Sequence, residues 1–214
     1  MEQKIILLDL DTQEDFFLPA GSLYTGQAEM IRSNIYKLFG WAKRNCIPVL
    51  SSVLRLSPNQ AGPYGNRKHC VDATPGELKL SQTLMRSNVN LGSRNIGDLP
   101  NNLFEEYQQI IVERHFMDIF NHHRIERIIM QNRHAQFIVL GAGLCRSVVQ
   151  AVIGLCARGI HTIVPVDAVL NIVNQDTEMV YKRMQVKNAI ITHTHEITKL
   201  HSKLVHLHAR KIAS

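Results

Sequence analysis

The sequence predicts an α/β fold of three layers, α/β/α, built on a six-stranded, mostly parallel sheet. Two observations carry that expectation. Short, nearly continuous apolar runs recur along the chain, as strands buried on both faces of a parallel sheet do. Segments with helical spacing separate the later runs, so strand and helix alternate almost to the end.

The first run is 4–10, Lys-Ile-Ile-Leu-Leu-Asp-Leu. Residues 26–45 follow as a helix, with Met30, Ile31, Ile35, Leu38 and Trp41 at near-helical intervals. A second strand is expected over 47–54, and four more over 109–112, 136–140, 161–166 and 189–192. Helices are expected over 119–132, 147–158 and 177–186. There is no internal repeat and no low-complexity linker. The 214 residues therefore read as one domain, 1–214, with 193–214 as a C-terminal extension.

Residues 55–100 interrupt the alternation for longer than connections in compact domains usually run. They are rich in Pro, Gly, Asn and Ser, yet His69-Cys70-Val71 and Thr74-Pro75-Gly76 look too specific for disorder. An ordered lid or a subunit contact is the expectation.

A hydrophobic fraction of 45% excludes a disordered or collagen-like chain. Lys and Arg number 24 against 18 Asp and Glu, a net +6, but the charges are scattered, so nucleic acid is not expected as a partner. The 11 His make the charge rise steeply below about pH 6.5. Cys46, Cys70, Cys145 and Cys156 form no CxxC pair. Met1 leads into a polar start without a signal-peptide pattern, and no stretch approaches the ~18 apolar residues of a membrane helix. These features suit a soluble cytoplasmic protein with free thiols and no membrane partner.

In an open α/β sheet, ligands bind at the carboxyl ends of the strands. The residues expected there are Asp11 to Phe16, Glu113-Arg114-His115, Gly141 to Ser147, and Asp167-Ala168. An acid, a cation and a hydroxyl or thiol at a helix start thus share one edge. A helix N-terminus lowers the pKa of a thiol and can cradle an oxyanion. On these residues alone, Ser147 is equally well a helix cap or a catalytic group.

Asp11-Thr12-Gln13-Glu14-Asp15-Phe16 resembles the D-x-Q-x-D-F opening of the isochorismatase-like hydrolases, the superfamily of nicotinamidases and N-carbamoylsarcosine amidohydrolases. Pro19 to Leu23, His69-Cys70-Val71-x-x-Thr74-x-Gly76, and the block of Gly141, Gly159 and Asp167-Ala168 resemble that family's later motifs. The likeness spans about 4–190. It implies a Rossmann-like fold, usually in homo-oligomers such as dimers or tetramers, and a catalytic Asp, Lys and Cys. Carried over one position at a time, these fall on Asp11, Arg114 and Ser147; Cys145, two residues early, is the alternative nucleophile. The substrate-binding residues on this reading are Gln13, Phe16, His69, Gly143, Leu144 and Arg146, with the N–H groups of the 143–147 turn as oxyanion hole.

The departures from the family set matter chemically. A serine hydroxyl is far less acidic than a thiol and needs a positioned base, and Arg does not release its proton. Arg114 is expected to push the Asp11 carboxyl down, making it a poor base. Where nicotinamidases place a metal-binding D-x-H, the sequence has Leu54 and Leu56, with His69 left alone, so no metal and no cofactor are expected. Gly141-Ala142-Gly143 is only weakly similar to a dinucleotide fingerprint, since Arg146 stands at the third Gly. His122, His123, Arg124, Arg127, Arg133 and His134 read as a solvated helix face, and His193, His195, His206 and His208 as adventitious metal binders. Two functions compete. One is a metal-independent hydrolase of a small amide or related C–N bond, in which Ser147 or Cys145 attacks. The other is a catalytically silent relative that binds a small molecule or serves as an oligomeric partner.

Overall fold

In the computed structural model, which describes residues 4–65, 67–173 and 176–199, the first apolar run forms β1 (Ile5–Leu10). A short helix, α1 (Glu14–Phe17), precedes α2 (Ala28–Arg44) and β2 (Val49–Leu54). Then come β3 (Asn88–Asn90), α3 (Leu103–Glu106), β4 (Gln109–Arg114), α4 (His123–Gln131) and β5 (Gln136–Ala142). The chain continues with α5 (Val149–Ala157), β6 (Thr162–Pro165), β7 (Val169–Leu170), α6 (Thr177–Val186) and β8 (Ile190–Thr192). Among the described residues no helix is long and apolar enough to cross a membrane.

The sheet has eight strands rather than six, in the order β3-β4-β2-β1-β5-β6-β8, with β7 beside β5. All pairings are parallel. The two strands missing from the expectation carry no apolar run long enough to see: β3 is the edge triplet Asn-Val-Asn and β7 is two residues. The chain winds outward from β1 on one side and returns to pair β5 on the other. The carboxyl ends of β1 and β5 are therefore the topological switch point, where crevices open.

Alternation along β1 builds two cores. Ile6, Leu8 and Leu10 pack with α4, α5 and α6 residues such as Ile128, Val152 and Met184. Leu7 packs on the opposite face with Ile35, Leu38, Phe39 and Trp41 of α2. The helix expected over 119–132 is broken. A 3-10 turn (Ile119–Asn121), capped by the Asp118 side chain, ends at an extended His122, and α4 begins after it.

Residues 55–100 are tied to the sheet at several points. Leu56 pairs with Val71, and Gln13 with Lys79. The Asp15 carboxylate accepts from the N–H groups of Ser22 (2.9 Å) and Cys70 (2.5 Å). Arg55 reaches Asp72, Glu77 and Glu113. The expectation of a solvated basic face holds at His123, Arg133 and His134, which are exposed, but not at His122 and Arg124, which are buried. Arg124 is buried and donates to Leu91 O (2.6 Å) and Asp98 Oδ1 (2.9 Å), while Arg127 donates to Gly97 O.

One anchor is buried and charged. Lys79 donates to Asp9 Oδ2 and Thr12 Oγ1, with its ammonium 5.4 Å from the centre of the Phe39 ring. Asp9 Oδ2 also accepts from Ser51 Oγ (2.7 Å), whose oxygen takes a bond from Gln109 Nε2 (2.9 Å). Removing one partner of a buried pair leaves an uncompensated charge and typically costs ~3–5 kcal/mol, whereas replacing both by apolar groups is often neutral or better. Lys79→Ala is therefore expected to lower unfolding free energy in urea by about 3–5 kcal/mol, and Asp9→Leu/Lys79→Met by much less.

Candidate functional site

Asp11 is the first residue past β1 and has φ +55°, a left-handed conformation that costs a non-glycine residue roughly 1 kcal/mol or more. Bonds on both sides hold it: its N–H donates to Ser52 O (2.9 Å), and its own carbonyl accepts from Gln13 N–H (2.8 Å). At the neighbouring end of β5, Gly141 (φ +122°) runs so close to Leu10 that any Cβ would overlap the Leu10 carbonyl. Gly143 (φ +85°) then opens a π-helical turn (Leu144–Val148) that carries Ser147.

Three side chains from distant parts of the chain meet here. Arg114, the last residue of β4, is almost wholly buried, and three of its donors are engaged. Its Nε donates to Ser52 Oγ (2.6 Å), Nη1 to Phe116 O, and Nη2 to Asp11 Oδ2. Ser147 Oγ donates to the same Asp11 oxygen at 3.1 Å, while Asp11 Oδ1 is buried with no partner among the described residues. Burial raises the Asp11 carboxyl above its ordinary pKa; Arg114 and the Ser147 hydroxyl pull it down without cancelling that effect. This corrects the expectation of a depressed carboxyl, because desolvation outweighs the ion pair.

The other expected site residues divide. Phe16 is fully buried, and its ring lies 5.7 Å from that of Tyr64 and 6.2 Å from that of His69. Buried His69 sets Nδ1 2.7 Å from the Arg67 carbonyl, which assigns the hydrogen to Nδ1, and burial lowers its pKa. Gln13 faces backbone instead of an open site: Nε2 donates to Leu54 O (2.7 Å) and Glu77 O (2.8 Å), and Oε1 accepts from Leu54 N–H (2.8 Å). Leu144 is buried in the apolar core. Cys145 is not brought to Asp11. Its thiol lies 3.3 Å from Asn171 Oδ1, and burial pushes its pKa up against the pull of Arg146. Of the expected oxyanion donors, Gly143 N–H goes to Leu170 O (2.9 Å) and Arg146 N–H to Gly143 O (2.9 Å).

The positions that resemble a nicotinamidase metal site do not fit a metal. Leu54 and Leu56 are buried in the apolar core and offer no ligand atom, which leaves His69 Nε2, buried and without a partner among the described residues, as a single donor. Among the described residues, no group of three His, Cys, Asp or Glu side chains could hold an ion. His193 and His195 have rings 5.8 Å apart, and His195 pairs with Glu196 (2.6 Å); His206 and His208 lie outside the described residues.

Tyr64 is a site residue that sequence reasoning missed. Its hydroxyl is 3.4 Å from Ser147 Oγ and lies directly over Gly143, where any Cβ would overlap it. Burial and the Asp11 charge raise the phenol pKa, keeping it neutral. The available signal was the turn-forming Gly62-Pro63-Tyr64-Gly65.

Residues 5–196 match the family model described as Isochorismatase domain. The fold is similar to that of N-carbamoylsarcosine amidase from Thermoplasma acidophilum, at 17% identity over 89% of this chain and 96% of that one, with a TM-score of 0.66. It is also similar to a nicotinamidase/pyrazinamidase from Bacillus subtilis, at 15% identity, 88% and 99% coverage, and a TM-score of 0.69. A pyrazinamidase from Pyrococcus horikoshii solved in complex with zinc matches at 18% identity, 89% and 99% coverage, and a TM-score of 0.68. No curated protein matches.

The raised Asp11 carboxyl has a signed consequence. The folded state binds that proton more tightly than the unfolded one, so this group's stabilising contribution is full below about pH 4 and is lost as pH rises through the folded pKa. Urea unfolding across pH 3–8 should therefore show Asp11→Asn flattening that decline. An unchanged pH profile would contradict the assignment.

Proposed function

The chain belongs to the isochorismatase domain family, and from that premise we propose that it has given up thiol-based C–N hydrolysis and keeps its switch-point site to bind a small polar molecule. The observation that carries this reading is the closed arrangement of Arg114. Its Nε and both Nη atoms are engaged by Ser52, Phe116 and Asp11. The nearest charged partner of Ser147 is then the Asp11 carboxylate, which opposes ionisation of a hydroxyl.

Magnitudes point the same way. With a carboxyl ordinarily near 4 and an alcohol about as weak an acid as water, moving the Ser147 proton to Asp11 spans about 12 units, or roughly 16 kcal/mol. A thiol near 8.5 leaves about 4.5 units, or roughly 6 kcal/mol. The raised Asp11 pKa narrows the gap without closing it. On this proposal Asp11 Oδ1 accepts from the ligand and the Ser147 hydroxyl contributes a second polar contact.

A second reading, serine-type hydrolysis of a small amide, draws support from the same raised carboxyl and its free oxygen. The named neighbours act on N-carbamoylsarcosine, nicotinamide or pyrazinamide, which makes those amides the compounds to try. Assembly into a homo-oligomer also belongs to the proposal; exposed Leu78 and Phe116 are apolar surface that a second copy would cover.

Ammonia release from these amides tests the choice. The unaltered chain is expected to match a Ser147→Ala control, while Ser147→Cys/Arg114→Lys gains turnover. Hydrolysis by the unaltered chain that falls ~100-fold or more in Ser147→Ala would overturn the binding reading in favour of the serine hydrolase.

A further inference from the structure

The Gly62–Gly65 turn carries an arrangement that the functional reading leaves unused. Gly62 and Gly65 form an isolated antiparallel bridge, which pinches Pro63 and Tyr64 into the tip of a turn. Gly65 has φ +85°, a conformation that favours glycine and lets the chain reverse directly after the tyrosine. The tip points into the site. The Tyr64 ring meets the edges of Phe16 (5.7 Å) and His69 (5.4 Å), and its hydroxyl reaches Ser147 Oγ at 3.4 Å over the bare backbone of Gly143.

The phenol thus stands against the atom that any small molecule entering the site would have to meet. The segment behind it is lightly held. Residues 57–61 are exposed, and their hydrogen bonds are mostly local: Gln60 N–H to Ser57 O (2.9 Å), with a long bond from Gln60 Nε2 to His115 O (3.5 Å). A cleft of about 370 Å³ lies on the outer side of the turn, lined by residues including Pro58, Gln60, Gly62 and Gly65. The chain before it is fixed where Leu56 pairs with Val71, and Gly62 itself lies against the His69 ring, so the turn has a firm base behind an exposed 57–61 segment.

We propose that Tyr64 is a built-in plug: its ring fills the space over Ser147, and the 62–65 turn must lift outward before a ligand reaches Asp11 and Ser147. This rests on Ser147 facing the site, as the proposed function does, but not on whether the site binds or hydrolyses an amide. With the open form a minor state of about 10% or less, the plug lowers apparent access to that fraction, and removing it raises access at least ~10-fold.

The test uses Ser147→Cys as a reporter in the full chain. Iodoacetamide labelling at each thiol is followed by mass spectrometry, with Cys46 and Cys145 as references in the same sample. Adding Tyr64→Ala is expected to speed labelling at position 147 by about tenfold or more while the references hold their rates. Tyr64→Leu, an apolar replacement that keeps the tip filled in part, gives a smaller rise, and Tyr64→Phe leaves labelling slow because the ring itself does the blocking. Equal rates at position 147 with and without Tyr64, or a rise shared by Cys46 and Cys145, would overturn the plug. Gated labelling without ligand binding or turnover in the amide assays would leave the plug standing and remove the functional reading instead.

Discussion

A guanidinium and a carboxylate, both withdrawn from water at the ends of two strands that do not touch, set the terms for this site. β2 lies between β1 and β4, and its Ser52 bridges them, accepting from Arg114 Nε while its carbonyl takes the Asp11 N–H. Buried ions are tolerated only where geometry and hydrogen bonds offset desolvation. That requirement explains why three donor atoms of the arginine have acceptors and why Asp11 is held at a positive φ. The pair is unequal at the acid end. One oxygen receives both Arg114 and Ser147, and the other receives no bond from the described residues, so the site's open valence is an acceptor.

A second acid on the same strand repeats the pattern on the α2 side. Asp9 draws its cation from the 55–100 stretch through Lys79 and is bracketed by Ser51 and Thr12. Two residues apart, on β1 and just past its end, Asp9 and Asp11 each fasten a different part of the chain to the central strand. Burial lowers the Lys79 pKa while Asp9 supports its charge, so this contact is strong only as a pair. The consequence is mechanical as well as electrostatic. The stretch that presents Tyr64 is anchored to the strand that presents Asp11, so the two sides of the site are placed by one set of contacts.

Identities of 15–18% with neighbours of the same fold have a simple physical basis. A core tolerates extensive hydrophobic exchange if volume and pattern are kept, whereas proton chemistry depends on a few side chains and their immediate charges. On the proposed reading, Arg114 and Ser147 change what the same scaffold can do. The position of the Cys145 thiol, against Asn171 with a pKa raised by burial, supports that reading.

The amino-acid sequence by itself determined the layers, the six strands that carry apolar runs and the three residues that meet at the switch point. Apolar runs, helical spacing and motif positions are properties of the chain read in order. The short β3 and β7 were not legible, since neither buries enough apolar surface to leave a pattern, and the break at His122 was set by the local cap of Asp118. Only the tertiary structure decided that the Asp11 carboxyl sits above its ordinary pKa, that Gln13 holds backbone instead of facing a ligand, and that Tyr64 covers Ser147. Each of these depends on distances across the fold and on how much water is shut out. Neither quantity is encoded in the spacing of residues along one chain.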